Sequence, residues 1–212
     1  VLDGHGNSVM GLAWISESSL AAASLDHNVT IWNTRTGSPV RRLQGHSRGV
    51  TSLCFLKKEN TLVSAGIDRS LRVWKSGSGE LTRSLNIHTR RIHNLALRPQ
   101  TEGLPMVASV SADRTVRLWQ PTIGRMVRFA RLKSRPLDAA WLGDGSRVVV
   151  ACTDGQVRVV DPSTVKVTGT IPALEGWAYT LAVHPSDGSI LVAGQDGQIR
   201  RRVLPRKAIG RP

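Results

Sequence analysis

Five aspartates recur along the chain at nearly constant intervals, and each opens a related string. The strings are Asp26-His-Asn-Val-Thr-Ile-Trp32, Asp68-Arg-Ser-Leu-Arg-Val-Trp74, Asp113-Arg-Thr-Val-Arg-Leu-Trp119, Asp154-Gly-Gln-Val-Arg-Val-Val160 and Asp196-Gly-Gln-Ile-Arg-Arg-Arg202. The aspartates lie 42, 45, 41 and 42 residues apart. Gly4-His5 and Gly45-His46, with Ile87-His88 in the equivalent place, precede the first three by 21 to 25 residues. A period of this length means one supersecondary unit copied along the chain, each copy burying its apolar surface against its neighbours.

Within a unit the segments are short, rich in β-branched residues and broken by Gly, Asn, Asp and Ser. They read as strands joined by tight turns, with no helical periodicity, so the fold class is all-β. In the second unit the pattern predicts an inner strand over Val50–Phe55, a second over Thr61–Ala65, a third over Ser70–Trp74 and an outer one over Glu80–Leu85. Asp68-Arg69 makes the turn between strands two and three, and 75–79 is a looser connection to strand four.

On these motifs the chain resembles a run of WD40 repeats over essentially all of its 212 residues. The first three units carry the His, the Asp turn and the terminal Trp, while the last two hold the period and the Asp turn only. The resemblance implies a β-propeller with five four-stranded blades present, as part of a seven-bladed ring. The approximate repeats are 1–43, 44–85, 86–131, 132–171 and 172–212. It also implies a hydrogen-bonded tetrad in each complete unit: a His from the incoming loop, a Ser or Thr on strand two, the turn Asp and the strand-three Trp. Carried onto this chain, the tetrads are His46, Ser64, Asp68, Trp74 and His88, Ser109, Asp113, Trp119. The first unit has His5, Asp26 and Trp32 but puts Ala22 where the hydroxyl belongs, one member short. Asp154 and Asp196 are expected to act as turn formers only.

A His, Ser and Asp in one constellation also fits a nucleophilic triad. Its recurrence in successive units, each ending in a Trp, favours structure instead, because a buried carboxylate and a buried indole N–H are costly unless partnered. No catalytic residue is assigned. The sequence contains no phosphate loop, no Gly-x-Ser-x-Gly elbow, no His-Glu-x-x-His and no dinucleotide fingerprint. Cys54 and Cys152 lie far apart without metal-ligand spacing, and the six histidines are scattered, so neither a metal nor a cofactor is expected. The longest clean apolar run is Val148 to Cys152, far short of the ~20 residues of a membrane helix, so no membrane insertion is expected.

The charge carries a message of its own. Lys plus Arg number 29 against 15 acidic residues, a net charge of +14, which makes an acidic partner a natural candidate. In the resembled family the incoming loops and the strand two-to-three turns form the usual docking face. On this chain that face would gather Arg48, Arg69, Arg90, Arg91, Arg114 and Arg135 as a basic collar of candidate partner-binding residues. A solvated rim in an Arg-rich protein is the competing reading. Arg41, Arg42, Arg83, Arg128 and Arg131 fall on outer strands, where charge guards sheet edges. Trp177 and Tyr179 are expected to pack in a core.

Together these features point to a noncatalytic scaffold binding protein or peptide partners, acidic ones among them, through its loops. Two alternatives stand beside it. The run from His88 through Arg200 resembles the propeller tails of bacterial, planctomycete-like WD40 proteins, some joined to a c-type cytochrome domain, which would make this the propeller module of a larger envelope or redox protein. Electrostatic nucleic-acid binding is the other, favoured by the charge and weakened by an aromatic content of 4%. The start at Val1-Leu2, directly before a Gly-His, and a proline-broken tail after Leu204 suggest the C-terminal part of a longer chain, with about two further repeats upstream in a seven-bladed ring. A closed five-bladed ring is the alternative. Localisation would be cytoplasmic by default, or periplasmic if a longer parent carries an export signal.

Overall fold

The computed structural model describes residues 1–99 and 103–204. The described chain is all-β apart from a single 3-10 turn at Pro121–Ile123. Sheet one comprises β1 (Val9–Ser16), β2 (Ser19–Ser24), β3 (Val29–Asn33) and β4 (Pro39–Leu43). Sheet two comprises β5 (Val50–Leu56), β6 (Thr61–Gly66), β7 (Leu71–Lys75) and β8 (Leu81–Leu85). Sheet three holds β9 (Ile92–Leu97), β10 (Val107–Ser111), β11 (Thr115–Gln120) and β12 (Arg125–Arg131). Sheet four holds β13 (Pro136–Trp141), β14 (Val148–Cys152), β15 (Gln156–Val160) and β16 (Val167–Pro172). Sheet five has β17 (Ala178–Val183), β18 (Ile190–Gly194) and β19 (Ile199–Arg202).

In every sheet the strands pair in sequence order, as expected of antiparallel strands joined by short connections. The strands of sheet two agree with the sequence reading to within a residue at each end. The resemblance implies five four-stranded blades, with a proline-broken tail too short to supply the outer strand of the last. Four have four strands, and the fifth has three among the described residues, with residues 205–212 lying outside them.

The chain divides into two compact units. One is Val1–Leu95 with Pro121–Gly124, and the other is Ala96–Gln120 with the residues from Arg125 onward. In the first unit, Ala21, Ala23, Val29 and Ile31 of sheet one pack with Leu53, Leu62 and Trp74 of sheet two. In the second unit, sheets three and four share a core through Ala108, Leu118, Trp141 and Val150. Sheets four and five share another through Val149, Val159, Leu181 and Val192. Strands two and three of sheet four are buried along nearly their whole length, so they read as near-continuous apolar runs such as Val-Val-Val-Ala-Cys in β14.

Two sets of polar ties join neighbouring sheets. At the inner strands, Ser52 Oγ accepts the Leu95 N–H at 3.1 Å and Thr51 Oγ1 donates to the Ile92 carbonyl at 2.7 Å. In the second unit, Asp138 accepts the Leu181 N–H at 2.9 Å and the Thr180 hydroxyl at 2.7 Å. At the outer strands, Arg41 donates to the Ser76 carbonyl at 3.2 Å, Arg83 to the Thr122 carbonyl at 3.1 Å, and Arg128 to the Ser163 carbonyl. The outer-strand arginines read from sequence as edge guards therefore do a further job: three of them tie one sheet to a loop of the next.

Candidate functional site

The residues singled out by the repeat meet at one end of sheet two. Sheet two shows the full network. His46 Nδ1 lies 2.8 Å from Asp68 Oδ2, His46 Nε2 lies 2.8 Å from Ser64 Oγ, and Trp74 Nε1 donates to Ser64 Oγ at 2.9 Å. Because a carboxylate only accepts, Nδ1 carries the imidazole proton and Nε2 accepts from the serine hydroxyl. The donors thus run in one direction from Trp74 through Ser64 and His46 to Asp68. Asp68 also accepts the N–H groups of Ser47 and Ser70 at 3.1 Å and the Ser70 hydroxyl at 2.8 Å. Burial raises the Asp68 carboxyl, but the His46 and Ser70 bonds outweigh it and hold the group well below the usual carboxylate range.

In sheet three, Trp119 Nε1 donates to Ser109 Oγ at 2.7 Å, Asp113 accepts the Thr115 hydroxyl at 2.6 Å, and His88 is buried. In sheet one, His5 Nδ1 meets Asp26 Oδ2 at 2.8 Å, and the N–H groups of Gly6 and Asn28 bond the same carboxylate at 3.0 Å. Burial acts to raise Asp26, and the His5 and backbone bonds overcome it, leaving the group at about 2. Ala22 stands where Ser64 stands in sheet two, and His5 Nε2 is buried with no hydrogen-bond partner.

The expectation for Asp154 and Asp196 requires correction, since both do more than form turns. Arg158 grips Asp154 with two bonds of 3.0 and 2.6 Å, and Arg200 lies 2.9 Å from Asp196. The corresponding pairs in sheets two and three, Asp68 with Arg72 and Asp113 with Arg117, stand at 3.9 and 3.8 Å. Where the repeat supplies a histidine, the guanidinium four residues beyond the aspartate stays back. Where the histidine is missing it closes in, because a half-buried carboxylate needs a charged donor. The Arg158 bonds hold Asp154 below its ordinary value against burial, which raises it. The Asp-x-x-x-Arg spacing, present in four of the five strings, is the sequence signal for these pairs.

The same hairpins hold two of the candidate arginines, Arg69 and Arg114. The residue after each turn aspartate lies in the left-handed region: His27 at φ 74°, Arg69 at 71°, Arg114 at 65°, Gly155 at 70° and Gly197 at 70°. All six candidate arginines are exposed. In the first unit, a cleft of about 480 Å³ opens between the loop at Ser47 and the loop at Asn86–Thr89, with Arg69 and Arg72 in its wall. Arg48 and Arg90 adjoin its two lips in sequence, and Arg91 follows. The acidic group in that wall, Asp68, is fully engaged by its hydrogen bonds. In the second unit, Arg114 occupies the β10–β11 turn and Arg135 the loop before β13, their carbonyls accepting from Leu132 at 2.8 Å and Thr153 at 2.9 Å.

Trp177 and Tyr179 do not pack in a core as expected. They are 44% and 50% exposed and meet edge to face at 6.2 Å. Both cysteines are buried and free. Among the described residues no three His, Cys, Asp or Glu side chains gather as a metal site, and no helix is long and apolar enough to cross a membrane.

Repeated antiparallel sheets joined by buried polar ties, with their loops left exposed, define an all-β repeat protein. The sequence pattern described as "WD domain, G-beta repeat" matches residues 1–33, 37–75 and 79–120, and the chain belongs to the WD40-repeat family. It is 27% identical over 196 residues to "Telomerase protein component 1" of Mus musculus, covering 91% of this chain and 7% of that protein. It is 30% identical over 211 residues to "Coronin-7" of Rattus norvegicus, covering 94% of this chain and 18% of that protein. It is 26% identical over 163 residues to "THO complex subunit 3" of Arabidopsis thaliana, covering 74% of this chain and 38% of that protein. The chain therefore spans well under half the length of each of these relatives.

Proposed function

We propose that this chain is a noncatalytic interaction scaffold whose exposed loop arginines dock an acidic partner segment. Proteins of this family typically serve as protein-interaction scaffolds, and the names of two relatives place those proteins in assemblies, a telomerase component and a THO complex subunit. The observation that carries the finer reading is the backbone at Arg69 and Arg114. Sheets four and five place glycine at this turn position, where a left-handed φ is free of cost. Arg69 and Arg114 hold the same φ at a cost of about 1–2 kcal/mol each. Strain kept at an exposed loop tip is the mark of a side chain retained for what it touches. The forked guanidinium suits carboxylate and phosphate oxygens alike.

A fluorescent polyglutamate peptide tests the reading against a polyglutamine control. The chain is expected to bind polyglutamate selectively and more weakly as salt rises, and the combined change Arg48→Glu, Arg69→Glu and Arg90→Glu to cost at least about tenfold in affinity. Equal binding by the variant would dismiss the collar. Single-stranded DNA bound with a steep salt slope while polyglutamate is ignored would favour the nucleic-acid alternative instead.

A further inference from the structure

A second cleft, of about 530 Å³, opens at the end of sheet two opposite the Asp68 hairpin. Its size is within the range of about 300–1,000 Å³ usual for small-molecule sites. The β5–β6 turn, the β7–β8 connection, β8 itself and the 3-10 turn at Pro121–Ile123 enclose it, and all four belong to the first unit. Its wall runs from Glu59 to Thr122, in the interior of the chain.

Folding leaves two polar atoms of that wall unsatisfied. Glu59 Oε2 and Thr122 Oγ1 are both buried with no hydrogen-bond partner among the described residues, an arrangement that is costly until a ligand supplies one. Their neighbours are held in place with donors to spare. Arg83 is oriented by its Nε–H on the Thr122 carbonyl at 3.1 Å, and its Nη groups make no hydrogen bond among the described residues. Asn60 sits in the left-handed region at φ 48°, its carbonyl accepting the Ser76 N–H at 3.2 Å and its Oδ1 facing the Ser76 hydroxyl. That leaves the Asn60 Nδ2 group, which lies 3.9 Å from the Cβ position of Gly77 in the cleft wall. The hydroxyls of Thr61 and Thr82 donate to the Glu59 and Val73 carbonyls at 2.9 and 3.0 Å, so their lone pairs remain as acceptors.

A ligand matching this wall gives and takes hydrogen bonds at several points and carries no net charge. Glu59 and Arg83 offset each other, and Lys75 is engaged by Glu80 at 2.7 Å. Val73 is the one apolar side chain lining the cleft among the described residues, and no aromatic ring lines it, which disfavours lipids and nucleobases. Neighbouring hydroxyls on a small frame meet the requirement, because each is donor and acceptor at once. We infer that this cleft binds a small neutral saccharide. Its hydroxyls donate to Glu59 and Thr122, and its oxygens accept from Asn60 and Arg83. The cleft is at the other end of the sheet from Arg69, so this site does not depend on the docking of an acidic segment.

Saturation-transfer difference NMR on the 212-residue chain tests this with glucose, galactose, maltose and trehalose, and with glucose 6-phosphate and glucosamine as charged counterparts. At least one neutral sugar is expected to bind with a Kd of about 1 mM or tighter, ahead of both charged forms. Glu59→Gln and Thr122→Val should each weaken that binding about tenfold. Each change alters a group that folding leaves unpaired, so thermal unfolding monitored by circular dichroism should show no loss of stability. Both variants should treat polyglutamate as the parent does. No neutral sugar bound, a charged counterpart bound more tightly than every neutral one, or folded variants that bind sugar as well as the parent would each overturn the assignment.

Discussion

Replacing Ser64 by Ala is expected to lower the unfolding free energy by about 2–5 kcal/mol, because the one hydroxyl serves two buried partners at once. Its loss strands the Trp74 Nε1–H and the lone pair of His46 Nε2, at about 1–3 kcal/mol each, in a buried site. The cost belongs to the unpaired groups and not to the missing oxygen, so Ser64→Ala combined with Trp74→Phe should fall short of the sum of the single changes. Sheet one already holds the deficient arrangement, with Ala22 buried and His5 Nε2 left unpartnered. The reverse change, Ala22→Ser, should therefore raise stability by about 1 kcal/mol. Thermal and urea unfolding of the four variants checks both signs. A neutral Ser64→Ala would mean the network contributes nothing to the fold.

Gly155→Ala is expected to cost about 2–5 kcal/mol, of which the left-handed φ of 70° accounts for about 1–2 and steric overlap for the rest. A Cβ built at Gly155 would sit 2.2 Å from the Leu174 carbonyl oxygen and 2.7 Å from that of Gly176. Both are backbone atoms, so a side-chain rotation cannot relieve the clash. They also belong to the loop that the Gly155 carbonyl holds in place by accepting from Ala173 at 3.0 Å and Leu174 at 3.1 Å. Gly197 supplies the control. It has the same φ of 70° in the next repeat but nothing within 4 Å of its Cβ position, so Gly197→Ala should cost only the backbone share, about 1–2 kcal/mol. Arg69 and Arg114 prove that side chains are tolerated at this turn position where space permits. Equal melting temperatures for the two alanine variants would refute the steric argument.

The repeat makes the sheets legible, because a fixed period with Asp at each hairpin and β-branched runs on either side leaves few other arrangements. Sheet two lies within a residue of its expected bounds for that reason. The contacts inside one hairpin are legible too, since Ser64, Asp68 and Trp74 are placed on the same sheet by alternation and turn length. What spacing does not encode is reach from one sheet to another. Arg83 looks like a solvated edge residue until the Thr122 carbonyl is seen beside it. Trp14 and Trp141 hold the same register position, and only the presence or absence of a neighbouring carbonyl distinguishes an exposed ring from a buried one. Trp177 reads as core because aromatic residues usually are, but its backbone N–H is held by the Gln195 side chain at 3.2 Å in a loop that leaves the ring outside. The tightened Asp154–Arg158 pair arises where the repeat lacks its histidine, an exchange of partners that no single motif announces.

The indoles of Trp74 and Trp119, on the third strands of sheets two and three, are donors held inside buried polar sites. Hydrogen exchange of the indole N–H groups in tryptophan-labelled protein, followed by NMR, measures it directly. Trp74 and Trp119, which donate to Ser64 and Ser109, should exchange slowly, at rates set by opening of their sheets, while the exposed Trp177 should exchange at close to the rate of free indole. Trp74 and Trp119 exchanging as fast as Trp177 under native conditions would contradict it.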